Sequence, residues 1–218
     1  SANAYMGVEG ILIALEEGAD IILTGRVADP SLFLAPLIHE FAWSMDDYPL
    51  LGKGTALGHL MECAGQVCGG YFADGVKKQV SNLGNLGFPI AEINNDGLFH
   101  ITKLKDSGGM VTTATCKEQL LYEVHDPSAY LTPDVVADFS NITLKEIEKD
   151  KVEVYGASGK ALTGKLKVSV GYHDGYMADA QISYGGSYAL ERAQLAIEIV
   201  KERLEARNLV VEDILFDL

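Results

Sequence analysis

The chain has little that would mark it for a membrane, a nucleic acid or an oxidising compartment. Only 17 Lys and Arg stand against 31 Asp and Glu, a formal net charge of −14. Without a basic patch, such a field repels both nucleic acid and anionic lipid surfaces. No apolar run approaches the ~18–20 residues of a membrane span, and no basic, apolar leader pattern opens the chain. These absences point to the cytoplasm. Three cysteines, Cys63, Cys68 and Cys116, contain no Cys-x-x-Cys pair, so neither a disulfide framework nor a structural zinc is signalled. The dinucleotide fingerprint, the P-loop and the Gly-x-Ser-x-Gly elbow are all missing. His39-Glu40 begins like a zinc-protease helix but lacks the second His. No metal and no cofactor are expected, and the partner expected is a small molecule, with homo-oligomerisation left open.

What is present is an ordinary globular composition, 48% apolar and 22% charged, in a length that makes one large or two small domains. Val8 to Glu17 reads as a helix closed by Gly18. Ile21-Ile22-Leu23 is a short continuous apolar run of the kind buried in a parallel sheet, and Asp29-Pro30 then reads as a helix start. Pro36 lies inside the helix that follows. The expectation for the first half is therefore an α/β portion over 1–129, a largely parallel sheet with flanking helices. From Tyr130 the texture changes to successive strand candidates, ending at a long helix opened by Gly185-Gly186-Ser187. That half, 130–218, is expected to be α+β, with antiparallel strands packed on the first portion.

Two groups of residues could carry chemistry. In the charge-poor stretch Gly54 to Phe72, taken as one helix, His59, Glu62, Cys63 and Gln66 form a polar stripe at spacings of three and four. Glu62 can orient the His59 imidazole for general acid–base work, with a metal set including Cys63 as a weaker use. The plain alternative is a buried, mutually bonded stripe that fixes helix packing. Either use predicts that His59 and Glu62 are mostly buried. The second group is for anions. Arg26 and Asp29 lie in the loop after the expected strand, where α/β proteins bind ligands, or they brace that loop by pairing with each other. Lys103 precedes Gly108-Gly109, whose N–H groups, with the Thr112 hydroxyl, would greet an anion at a helix start. Convergence of Arg26, Lys103 and this loop on one crevice is expected if the ligand is acidic.

Several words of the sequence resemble the acyclic terpene utilisation family, the AtuA-like proteins. They include Asn3-Ala-Tyr-Met-Gly7, Thr24-Gly-Arg-Val-Ala-Asp29, Phe33-Leu-Ala-Pro-Leu-Ile-His-Glu-Phe41 and Gly58-His-Leu-Met-Glu-Cys63. The likeness continues through Gly69-Gly-Tyr-Phe-Ala-Asp74, Gly87-Phe-Pro-Ile-Ala-Glu92, Tyr130-Leu-Thr-Pro-Asp-Val-Val-Ala-Asp-Phe139 and Ser183-Tyr-Gly-Gly186. The resemblance implies bacterial catabolism of terpenoid acids as coenzyme A thioesters, so a thioester is an expected substrate. It also implies a long segment ahead of this chain, which begins at Ser1 rather than Met. A catabolic enzyme, or part of one, is the expectation, and a non-catalytic subunit or binding domain is the alternative.

Overall fold

Two units make up the chain in the computed structural model, which describes residues 1–218: Ser1–Gly171 and Tyr172–Leu218. Residues 130–171 belong to the first unit, in which Phe99–Ile101 pairs with Val152–Val154. In that unit, strand β1 (Ala2–Ala4) precedes helix α1 (Glu9–Glu16). Helix α2 (Ser31–Phe41) carries Pro36 internally, and helix α3 (Tyr48–Met61) follows. Strands β2 (Pro89–Ile93) and β3 (Phe99–Lys103) form a hairpin, and helix α4 (Thr113–Leu121) comes next. Five short strands complete the unit: β4 (Tyr130–Leu131), β5 (Val136–Asp138), β6 (Thr143–Glu148), β7 (Lys151–Tyr155) and β8 (Ser158–Lys160). A ninth, β9 (Val168–Val170), returns to β1.

The largely parallel sheet expected for the first half is not there. Three antiparallel sheets form instead, in the orders β2-β3-β7-β6, β4-β5-β8 and β1-β9. Parallel pairing is confined to the isolated bridges Met6–Val27 and Leu86–Gly108. Tight connections explain the outcome. β2 and β3 are joined by Asn94–Leu98, and β6 and β7 by Lys149–Asp150, and loops this short can only return the chain antiparallel. The run Ile21–Leu23 has no neighbouring strand: Ile21 is 82% and Leu23 94% exposed. Ile22 alone packs against the core.

The core lies between α2, α3 and the inner faces of the two larger sheets, with Leu34, Leu51, Leu60, Phe99, Ile101 and Val152 buried within it. Helix α3 begins well before Gly54, because the Asp47 carboxylate accepts from the Leu50 N–H at 3.2 Å and Pro49 sits in the first turn. Its glycines allow close approach: a Cβ on Gly52 would collide with the Ser158 carbonyl, and one on Gly58 with the backbone of Pro30. That enclosure accounts for the scarcity of charge on α3.

In the second unit, helix α5 (Ala189–Ala206) is the one regular element, and none of its residues is buried. Residues 177–184, read from the sequence as a strand, and 209–216, read as a strand or a tail, form no strand. Arg192 lies 5.5 Å over the Tyr184 ring and Lys201 5.0 Å over Phe216.

Candidate functional site

His59 is in the last turn of α3 and is 0% exposed. The helix stops at Met61. Glu62 is extended (φ −65°, ψ 170°) and carries its carboxylate back over the turn it has just left. Oε1 of Glu62, a side chain only 9% exposed, lies 2.7 Å from Nδ1 of His59. The oxygen stands off the line of a ring N–H, so neither His59 nitrogen has an aligned hydrogen-bond partner. Two further contacts fix the imidazole. The β4–β5 pair brings Tyr130 and Phe139 over it, at 5.2 and 5.7 Å between centroids, and those two rings stack at 5.1 Å. From α4, Gln119 Nε2 donates to the His59 carbonyl at 2.9 Å.

The continuous helix expected from Thr55 to Cys68, within the stretch Gly54 to Phe72, is thus interrupted. Cys63 (φ 61°) and Ala64 (φ 54°) are left-handed, and a single π-helical turn, Gln66–Gly70, follows. Gly65, Gly69 and Gly70 weaken helix in this stretch, which is where periodicity alone misleads. Cys63 consequently leaves the His59 face and is exposed. Its thiol is pushed up by partial desolvation and then by the Glu62 charge, eased by a hydrogen bond with Tyr122. Tyr122 is itself pushed up to about 12 by its hydrogen bond to Glu123. Burial raises the Tyr130 phenol further, with the charges of Glu62, Asp29 and Glu123 adding to it. The surroundings of the imidazole are therefore aromatic and acidic.

Tyr122 also walls an open cleft of about 320 Å³, lined by Gln66, Tyr71, Glu118, Leu121 and Tyr122. Gln66 is 5% exposed, and its Oε1 has no hydrogen-bond partner. A second cavity, about 280 Å³, lies by Lys53, Gly97, Phe99 and Val154. His59 lines neither. Tyr122 and Phe139 escaped selection from the sequence because both reach the site by chain reversal rather than by local spacing. Tyr130 opened one of the family words, the only signal available for it.

The anion group is distributed differently from the expectation. Arg26 lies 5.0 Å over the ring of Tyr5 and does not pair with Asp29. Asp29 contributes to the negative field at Tyr130 and Cys63, and α2 begins at Pro30 with no side-chain cap. Lys103 Nζ donates to the Ser107 carbonyl at 2.8 Å, inside its own loop. The N–H groups of Gly108 and Gly109 donate to Asn85 O (2.8 Å) and Ser81 O (3.0 Å). Thr112 forms a capping box with Thr115. Asp150 and Glu146 accept from the N–H groups of Val111 and Thr113, at 3.0 and 2.9 Å. The chain's own acceptors thus fill the start of α4.

These features describe an antiparallel α+β protein with a buried His–Glu pair and an open, mostly apolar cleft. Over residues 1–218 the chain matches the acyclic terpene utilisation family protein AtuA, and it belongs to that family. No curated protein and no solved structure matches it. No helix is long and apolar enough to cross a membrane.

Proposed function

We propose that this protein is a cytoplasmic catabolic enzyme acting on an acyclic terpenoid thioester, with His59 moving a proton and Glu62 holding the imidazole. One observation carries the reading: a fully buried imidazole with a carboxylate oxygen 2.7 Å from Nδ1 and no aligned hydrogen-bond partner on either nitrogen. A histidine kept for packing has both nitrogens satisfied, since an unpaired buried polar atom costs about 1–3 kcal/mol. A general base leaves one nitrogen for the reactant. Nε2 would take the proton from the carbon beside the thioester carbonyl, the C–H electron pair passing to the carbonyl oxygen as an enolate that takes a proton back from the imidazolium, and Glu62 would stabilise that imidazolium. The left-handed Cys63 and Ala64 support this, because backbone strain of roughly 1–3 kcal/mol per residue collects at working sites.

Charge selects between the two ligand forms. The charges of Glu62, Asp29 and Glu123 all raise the Tyr130 phenol, which favours a neutral reacting end on the ligand, as in a thioester and not a free acid. The apolar cleft wall suits an acyclic chain. A second reading rests on a different fact, that His59 lines neither cavity. On that reading the protein is a non-catalytic binding domain and only the cleft matters. Thioester turnover by wild type and His59→Gln separates them. The enzyme reading expects a loss of about 10²–10⁴-fold with cleft affinity kept, whereas the binding reading expects affinity and no turnover in either.

A further inference from the structure

Arg26 and Lys167 converge on one tyrosine. The guanidinium carbon of Arg26 is 5.0 Å, and the ammonium of Lys167 4.8 Å, from the centroid of the Tyr5 ring. Backbone pairing on both flanks of Tyr5 causes this. The Tyr5 N–H donates to Lys167 O at 2.9 Å, continuing the β1–β9 register by one residue, so Tyr5 and Lys167 are cross-strand partners on one face. On the other flank the Met6 N–H donates to Arg26 O at 3.0 Å, and Ala28 N–H to Met6 O at 2.9 Å, in a parallel bridge. Arg26 therefore stands beside Tyr5 in the same row.

Neither cation is within ion-pair distance of a carboxylate, although the chain has 31 acidic residues and 17 Lys and Arg. Two cations held around one ring repel each other, and the ring face offsets only part of that. Ser169 Oγ donates to the phenol oxygen at 3.4 Å, leaving the Tyr5 O–H free to donate outward.

We propose that Arg26, Tyr5 and Lys167 form a binding site for a phosphate dianion, free or as the phosphate of a small ester. The guanidinium supplies two parallel N–H donors, the ammonium a point charge, and the phenol a third donor direction. This site is separate in residues from the His59–Glu62 pair, so its failure leaves that reading untouched.

The test is NMR titration of the ¹⁵N-labelled full chain with inorganic phosphate and, in a second arm, adenosine 5′-monophosphate, with chloride at matched ionic strength as the control. Saturable shifts centred on the amides of Tyr5, Met6, Arg26 and Lys167, absent with chloride, are expected. Arg26→Gln and Lys167→Gln should each weaken binding at least tenfold, Lys167→Arg, which keeps the charge, should retain most of it, and Arg26→Lys, which keeps the charge but loses the paired donors, should fall between. The wild-type spectrum away from the row reports whether each variant is folded. Equal affinity in the two arms identifies the free ion as sufficient, and tighter binding of the nucleotide identifies an ester. Shifts that do not saturate, that chloride reproduces, or that persist unchanged in the glutamine variants would overturn the site.

Discussion

Glu62 Oε1 lies 2.7 Å from His59 Nδ1 although Glu62 is the first residue beyond the helix that carries His59. The pair is made by ending the helix, not by continuing it. Helical spacing brings the two positions to one side, and the extended Glu62 backbone then folds the carboxylate inward. Removing its charge with Glu62→Gln should lower stability by about 1–3 kcal/mol in urea denaturation, because the buried imidazole then loses the carboxylate beside Nδ1. No change would mean that the pair contributes nothing to folding.

His59→Phe separates chemistry from packing. The site is bounded by Tyr130 and Phe139, so an apolar ring of similar size should stay within about 1.5 kcal/mol of wild type. Turnover should nevertheless be lost. A variant that unfolds, or one that keeps activity, would assign His59 to packing.

How much of this was legible follows the range of the contacts. The β2–β3 hairpin is announced by Asn94-Asn95-Asp96-Gly97, and the β6–β7 reversal by Lys149-Asp150. Helix α5 is announced by its regular apolar stripe. Each of these is local. The Ile21–Leu23 run could not be read, because three apolar residues look alike whether a neighbouring strand exists or not. Nor could the Tyr130–Phe139 platform over His59, which depends on β4 and β5 pairing more than seventy residues after His59. The glycine loop at 108–109 was misleading for a related reason: free-looking N–H groups were taken by Asn85 and Ser81, and sequence shows no such acceptors.

The tight backbone contact of α3 gives a second stability prediction. Gly58→Ala puts a methyl into the backbone of Pro30, which cannot move aside as a side chain would. A loss of about 1–3 kcal/mol is expected in chemical denaturation. Gly10→Ala, where a Cβ meets open space, is the control and should be neutral or stabilising, since alanine favours helix.

Asp134 makes stability depend on pH. It is buried, accepting from Val8 N–H at 2.9 Å and from Ser31 Oγ at 2.6 Å. Burial raises its pKa above the ordinary aspartate value of 3.8, the two hydrogen bonds pulling it partly back. A raised folded pKa means a contribution fully present below pH 3.8 and lost as pH rises through the folded value. The stability of wild type minus that of Asp134→Asn should therefore fall as pH rises above 3.8. A difference that grows with pH would contradict the sign.

The cysteines can be ranked by alkylation. Cys63 is exposed, whereas Cys68 and Cys116 are buried, with thiols pushed up to about 11 and about 12, chiefly by that burial. Iodoacetamide should modify Cys63 alone in the native protein. Its own raised thiol should make the reaction slow at neutral pH and faster as pH rises.

The central claim is that His59 moves a proton of the ligand. Its most direct measurement is deuterium incorporation from D₂O into the coenzyme A thioester of an acyclic terpenoid acid, followed by mass spectrometry. Wild type should incorporate label next to the thioester carbonyl, and His59→Gln should do so about 10²–10⁴-fold more slowly. No incorporation by wild type, or equal incorporation by the variant, would contradict the account.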